Sequence, residues 1–89
     1  MLPNLVKGNR EFVSSNKYKV ERKRVLEKQN PNALILSCSD SRNNSEIIFN
    51  EYNLGQLFTT RSAGHVLCES ILDTIGYGID TFDLKNIIV

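Results

Sequence analysis

The run Ala33-Leu34-Ile35-Leu36 most limits the folds open to this chain, because four apolar residues follow one another without a polar interruption. A strand that is covered on both faces reads as a continuous apolar run, whereas a half-exposed strand alternates. Two further β-rich runs, at residues 57–61 and 86–89, are separated from it by segments with helical spacing. We therefore predict an α/β fold with a partial parallel sheet of three strands, the first of them central, and flanking helices.

The spacing of apolar residues predicts four helices around these strands. The first ends at a break over residues 14–16, and the second covers residues 18–29 and ends before Pro31, since the residue before a proline avoids the helical region. A short helix begins at Ser45, its predicted N-cap. A long helix is predicted over residues 65–81. Its expected buried stripe consists of Leu67, Ile71, Leu72, Ile75, Ile79 and Phe82.

The chain has 89 residues, which allows a single thin core, because a chain of this size buries only about 60–65% of the surface that it exposes when unfolded. We predict an N-terminal helical arm over residues 1–31 and an incomplete α/β core over residues 32–89. The core is expected to be incomplete because the strand that begins at Asn86 should continue into a loop and a covering helix.

Charge is divided unevenly along the chain. Residues 1–31 carry eight Lys/Arg and three Asp/Glu, whereas residues 32–89 carry three Lys/Arg and seven Asp/Glu. A basic arm can bind nucleic acid, but contact with the acidic part of its own fold or of a partner subunit is the simpler interpretation, so we expect no nucleic-acid partner. With no apolar stretch that could span a membrane and no signal-peptide pattern, we expect no membrane partner and a cytoplasmic location.

Cys38-Ser39-Asp40-Ser41-Arg42 directly follows the central strand, where open α/β sheets place their ligands. A thiolate is a soft metal ligand, and Arg42 is spaced to hold the carboxylate of Asp40, so the group is typical of a metal centre. A buried free cysteine beside a surface ion pair is the structural alternative. A phosphatase-like thiolate nucleophile is disfavoured, because the three residues between Cys38 and Arg42 form too short a cradle for a phosphate and include no glycine.

Several stretches together resemble the β-class carbonic anhydrases. Residues 33–42 resemble the signature strand and loop of that family, and residues 46–49 follow at its spacing. Residues 54–64 resemble the strand that runs into its arginine, asparagine, alanine, glycine turn. Residues 75–79 are similar to its next helix, and residues 85–89 to the strand that delivers the remaining zinc ligands. The resemblance covers nearly the whole chain and implies an α/β zinc enzyme.

The resemblance also implies roles for individual residues. Cys38 corresponds to a zinc ligand, and Asp40 to a carboxylate that either takes the fourth zinc position or pairs with Arg42 and leaves that position to water. Gln29 corresponds to a glutamine that hydrogen-bonds bicarbonate from across a dimer interface, although a solvated helix end explains it equally well. Arg61 corresponds to an arginine of a regulatory bicarbonate pocket in some relatives; here it is equally expected to be a structural partner of a carboxylate.

The chain departs from the family pattern at its zinc ligands. In the family, the strand that begins at Asn86 leads into a histidine and a cysteine that complete the zinc site, and neither is present here. Ser62 and His65 replace two asparagines of the turn. His65 and Cys68 have the spacing of the lost pair and could form a makeshift zinc site with Cys38 and Asp40, but a histidine at the rim and a packed cysteine are the preferred interpretation. Gln56, Gly76 and Gly78 also differ from the family pattern.

The predicted function is zinc-dependent, reversible hydration of carbon dioxide to bicarbonate by a truncated β-class carbonic anhydrase that forms a homodimer or higher oligomer. The alternative is a non-catalytic fragment that serves as a dimerisation or interaction module. The two differ in whether the chain can hold zinc with Cys38 and Asp40 as its only matched ligands, because catalytic zinc normally takes three protein ligands and a water.

Overall fold

The computed structural model describes residues 1–89 and has four α-helices and three strands. A single 3₁₀ turn follows the second strand at Ala63–His65. The elements in chain order are α1 (Leu2–Ser14), α2 (Asn16–Arg24), β1 (Ala33–Cys38), α3 (Ser45–Ile48), β2 (Leu57–Ser62), α4 (Glu69–Phe82) and β3 (Ile87–Ile88). None of the helices combines the length and the apolar character that a membrane crossing requires.

The three strands form one parallel sheet in the order β2-β1-β3, which confirms the predicted sheet with the first strand at its centre. In the register, Leu34 pairs with Phe58 on one side and with Ile87 on the other. Leu34 is fully buried, and Ile35 and Leu36 are nearly so. The continuous apolar run in the sequence therefore corresponds to a strand that is covered on both faces and flanked on both edges.

Helix α4 packs closely on the sheet at Gly78. A Cβ atom at this position would lie 2.9 Å from two ring atoms of Phe58 and 3.0 Å from Leu34 Cδ1. Tyr77 and Phe82 complete an aromatic cluster with Phe58, with ring centroids 5.4 to 6.0 Å apart. The glycine thus brings the helix near enough for these rings to pack against one another.

Two predicted helix boundaries were wrong by four residues or more. Helix α2 ends at Arg24 rather than at residue 29, where Val25 leaves the helical conformation and Arg24 donates to the carbonyl of Leu54. Helix α4 begins at Glu69 rather than at residue 65, because Gly64 and His65 both have left-handed backbone angles that a right-handed helix cannot include.

The N-cap of α3 is Asn44, whose side chain accepts from the N–H of Ile47. Ser45, the predicted cap, is instead the buried first residue of the helix. The predicted stripe of α4 is also only partly correct. Ile71 is buried, but Leu72 is exposed, and Leu67 lies ahead of the helix and is exposed as well.

Helices α1 and α2 contact each other across the Ser15 cap, where the Phe12 and Tyr18 rings lie 5.1 Å apart. The basic residues of this region make no ion pair with the acidic residues after position 31: the ion pairs of the chain are Arg24–Glu21, Arg42–Asp40 and Lys85–Asp83. Within the chain, the arm therefore bonds the rest of the fold through Arg24 and the Leu54 carbonyl rather than through ion pairs, and contact of its charges with a partner subunit stays a prediction.

Candidate metal centre

The candidate site lies at the carboxyl ends of β1 and β2. Because the two strands are parallel and Cys38 pairs with Ser62, the loops that follow them leave the sheet at the same edge. The N–H of Ser39 donates to the carbonyl of Ser62 at 2.9 Å, so the two loops stay joined beyond the ladder. This edge is where parallel α/β sheets place their ligands.

Asp40 and Arg42 form a bidentate ion pair in the first of these loops. Arg42 Nη2 donates to Asp40 Oδ2 at 2.6 Å, and Arg42 Nε donates to Oδ1 at 3.0 Å. The N–H of Arg42 also donates to Oδ1, at 2.8 Å. The predicted pairing of these two side chains is confirmed. The side-chain bonds from Arg42, followed by its N–H and the charge of Arg61, hold the pKa of Asp40 below its usual range.

The thiol of Cys38 is half-buried and lies against main-chain donors from both loops. Its Sγ accepts from the N–H of Asp40 at 3.4 Å and from the N–H of Gly64 at 3.2 Å. Because these N–H groups stabilise the thiolate more than the thiol, they lower the pKa of Cys38. Gly64 has a φ of 62°, a conformation that glycine adopts without strain. The turn thus delivers an N–H to the sulfur.

Arg61 contacts carbonyl oxygens rather than a carboxylate. Its Nε donates to the Cys38 carbonyl at 2.8 Å, and its Nη2 donates to the carbonyls of Asp40, at 2.9 Å, and Asn43. The expected carboxylate partner is therefore wrong. Sequence reasoning missed this role, and also the donation from Gly64, because both partners are main-chain atoms and leave no pairing pattern in the residue types.

Cys68 does not pack into the core. It is the N-cap residue of α4, is exposed, and places its Sγ 3.4 Å from the Ser70 hydroxyl. Bonds from Ser70, and the N–H of Ile71 near the start of the helix, lower the pKa of Cys68. The predicted packed cysteine is wrong because α4 begins only at Glu69, so position 68 precedes the helix and its buried face.

His65 and Gln29 occupy different parts of the surface. His65 lies at the rim of the sheet, on a cleft of about 210 Å³ between α3, the end of β1 and β3, which is lined by Ile35, Leu36, Ser37, Asn43, Ser45, Ile48, Phe49, His65, Ile88 and Val89. Gln29 is exposed in the connection between α2 and β1 and makes no side-chain hydrogen bond. The structure does not join it to the Cys38 loop.

The residues of this chain fit one part of a zinc centre. Cys38 has the chemistry of a zinc ligand, since its surroundings favour the thiolate. Asp40 has both oxygens engaged by Arg42. No three His, Cys, Asp or Glu side chains of the chain come together as metal ligands, so Cys38, Asp40, His65 and Cys68 do not form the makeshift site. The metal needs ligands beyond those that this arrangement brings together.

A family model described as carbonic anhydrase matches residues 33–89. Among curated proteins, carbonic anhydrase 2 of Mycobacterium tuberculosis (strain ATCC 25618 / H37Rv) is 41% identical over 61 residues, which are 68% of this chain and 29% of that protein. The carbonic anhydrase of Mycolicibacterium smegmatis is 34% identical over 87 residues, which are 92% of this chain and 42% of that protein. The chain thus spans less than half the length of these relatives.

Solved structures share the fold over nearly the whole chain. The β-carbonic anhydrase CcaA superposes with a TM-score of 0.89 at 23% identity, covering 99% of this chain and 46% of that one. One of two tetrameric β-carbonic anhydrases from Sordaria macrospora gives a TM-score of 0.82 at 19% identity, covering 97% of this chain and 46% of that one. At these identities the likeness concerns the fold alone.

Proposed function

Because this chain belongs to the carbonic anhydrase family, we propose that it supplies the cysteine, aspartate and arginine of a β-class zinc centre that reversibly hydrates carbon dioxide to bicarbonate. Less than half of each curated relative is matched, so the activity belongs to this proposal rather than to the family assignment. A cytoplasmic location and a boundary between arm and core after residue 31 stay predictions.

The observation that carries the proposal is the grouping of a stabilised thiolate with an aspartate held by arginine. Cys38 and Asp40 are two residues apart at one edge of the sheet, and Asp40 is turned to Arg42 by three hydrogen bonds of 3.0 Å or less. A surface ion pair alone would not require a thiol stabilised by N–H groups from two loops. The geometry fits a zinc ligand, Cys38, beside a carboxylate, Asp40, that Arg42 holds turned towards itself.

Each residue has a distinct role in this proposal. Zinc, when bound, supplies a water whose pKa is lowered to about 7. Cys38 holds the metal as a thiolate. Arg42 keeps Asp40 ionised and turned towards itself, so that the carboxylate does not take the position of that water. Gln29 is the proposed bicarbonate contact, and its exposed position is compatible with a contact made in a partner subunit.

We include self-association in the proposal. Helix α1 packs against α2 and has an exposed apolar face, consisting of Leu2, Leu5, Val6 and Val13. A helix with such a face gains stability when the face is covered, at about 25 cal/mol for each Å² of apolar surface removed from water. A second copy of the chain is the proposed cover. A homodimer or higher oligomer would also let Gln29 serve a neighbouring site.

A full-length chimera tests the proposed function. In the M. smegmatis carbonic anhydrase, the segment that this chain matches is replaced by this chain, and carbon dioxide hydration is followed by stopped flow. We expect stoichiometric zinc and measurable hydration. Cys38→Ser should remove both, whereas Lys85→Ala, which removes an exposed ion pair away from the loop, should change neither. A chimera that folds and binds zinc through the relative's ligands but is indifferent to Cys38→Ser would refute the proposal.

The 89-residue chain by itself should bind zinc weakly and hydrate carbon dioxide negligibly, because it offers at most Cys38 and Asp40 as ligands, whereas catalytic zinc normally takes three protein ligands and a water. Zinc content after dialysis measures this, compared between the unmodified chain and His65→Ala. Zinc retained at one ion per chain and lost on that substitution would mean that His65 completes a site, contrary to the arrangement described above.

A further inference from the structure

Arg61 is the one side chain that donates to carbonyl groups in the loop between Cys38 and Asn43. It reaches three of them, at Cys38, Asp40 and Asn43. Its own strand pairs with β1, where Arg61 lies opposite Ser37, so the guanidinium crosses from β2 over the end of β1. A loop of six residues is therefore tied at its start, middle and end by one planar group.

The same arginine precedes the turn that supports the thiol. Three residues after Arg61, the N–H of Gly64 donates to Cys38 Sγ at 3.2 Å. The guanidinium therefore holds the Cys38 loop against the segment that carries the Gly64 donor. Movement of the loop away from β2 would break the bonds of Arg61 and the bond of Gly64 to the sulfur together.

We propose that Arg61 is a positioning residue, which fixes the thiol of Cys38 and the carboxylate of Asp40 relative to each other by bonding the carbonyls of the loop that carries them. The consequence for zinc rests on the proposed function, whereas the control of loop geometry does not. Asp40 remains within reach of Arg42 because its own carbonyl is held by Arg61.

The geometry requires arginine rather than any cation. Nε and Nη2 of Arg61 donate in one plane to carbonyls of different residues, whereas the lysine ammonium is a single compact donor on a flexible stem. Lysine at position 61 would keep the positive charge and lose the simultaneous contacts. Arg61→Lys thus separates positioning from charge.

Amide hydrogen exchange, followed by NMR on the 89-residue chain, tests this inference. In Arg61→Ala we expect the amides of Arg42, Asn43 and Gly64, which are bonded within or onto the loop, to exchange about tenfold faster, in line with the loss of charge-assisted hydrogen bonds. Arg61→Lys should exchange these amides nearly as fast as Arg61→Ala. The amides of Leu34, Ile35 and Leu36 should keep their rates.

The control is Arg24→Ala. Arg24 also donates across the chain to a main-chain carbonyl, that of Leu54, but lies outside the site. The Arg24→Ala variant should leave the exchange rates of the loop amides and the position of the Arg42 side-chain resonance unchanged. In the Arg61 variants, the Arg42 Nε–H signal should move towards the position of a solvated arginine, since its bond to Asp40 loosens. A role limited to general stability would not move that signal selectively.

Unchanged loop exchange in Arg61→Ala would overturn the inference, and so would equal acceleration in the loop and in β1. Full loop protection in Arg61→Lys would also overturn it, since charge alone would then suffice. If Arg61→Ala does not fold, the lysine variant decides. If the chimera keeps zinc and activity in Cys38→Ser while the Arg61 variants still accelerate loop exchange, the proposed function is refuted. The positioning role of Arg61 would then remain supported.

Discussion

At the scale of the residue, the arrangement of Asp40 depends on which group satisfies its oxygens. Arg42 occupies both of them, and its guanidinium remains largely exposed, at 89% of its side-chain surface, compared with 32% for Asp40. Water screens such a pair, so its contribution to stability is small. Its main effect is to direct the carboxylate towards Arg42, two residues along the chain from Cys38, the proposed zinc ligand.

The pair predicts a particular dependence of stability on pH. The pKa of Asp40 is lower in the folded chain than in the unfolded one, so the unfolded state binds more protons in acid. The stabilisation is present above about pH 4 and is lost as the pH falls through the folded pKa. Urea unfolding midpoints measured between neutral and acid pH should show a smaller acid-induced loss for Arg42→Ala than for the unmodified chain.

Lys85→Ala is the matched control for this measurement. It removes a cation from the Lys85–Asp83 pair, whose side chains are 76% and 87% exposed, and it should leave the acid dependence unaltered. Parallel curves for Arg42→Ala and the unmodified chain over the acid range would show that Arg42 does not shift the titration of Asp40.

At the scale of the element, the two glycines of α4 have opposite consequences. Each costs about 1 kcal/mol of helix propensity relative to alanine. A Cβ atom at Gly76 would meet no atom within 4 Å, whereas one at Gly78 would press on Phe58 and on the fully buried Leu34. The cost at Gly78 is therefore offset by the close contact between helix and sheet.

Gly76→Ala should raise the free energy of unfolding by about 0.5–1 kcal/mol, because it improves helix propensity in open space. Gly78→Ala should lower it by about 1–3 kcal/mol, because the core around Leu34 and Phe58 must be overpacked. Chemical denaturation of the two variants measures both values, and each is the other's control. A stabilised Gly78→Ala would mean that α4 does not lie as close to β2 as described.

An element marked by an uninterrupted run of apolar residues was predictable from the sequence, whereas boundaries that depend on unusual backbone angles were not. The apolar run from Ala33 to Leu36 predicted the central strand, which the structure places at Ala33–Cys38. The start of α4 was misplaced because the left-handed conformations of Gly64 and His65 have only a weak signature in residue types. In the site, the side-chain pair of Asp40 and Arg42 was predictable from spacing, whereas main-chain contacts such as those of Arg61 were not.

At the scale of the whole molecule, the chain is more open than a compact protein of its mass. Its accessible surface is 6725 Å², whereas a folded monomer of this mass exposes about 5,300 Å². Its radius of gyration is 14.7 Å, against about 12 Å for a compact chain of this length. Nine residues are buried, so the core is small and association would add apolar burial that the single chain lacks.

The thermal unfolding midpoint of the chain should therefore rise with protein concentration, since association stabilises the folded state by mass action. Leu5→Glu, in the exposed apolar face of α1, should abolish that dependence. Lys7→Glu introduces the same carboxylate into α1 away from Leu2 and Leu5 and should preserve it. Light scattering after size exclusion gives the oligomeric state directly. A midpoint independent of concentration in the unmodified chain would contradict the proposed self-association.

The turn at Ala63–His65, which supports the thiol of Cys38, limits the residue types that can occupy position 65. His65 has a φ of 60°, a conformation in which asparagine, aspartate and histidine are enriched several-fold among non-glycine residues. The family pattern has asparagine where this chain has His65, so the exchange keeps a residue that tolerates the angle. The exchange therefore leaves the backbone angle accessible while it changes the functional group. Homologues can therefore be compared by tolerance of that angle, and a β-branched residue there would identify a turn of different shape.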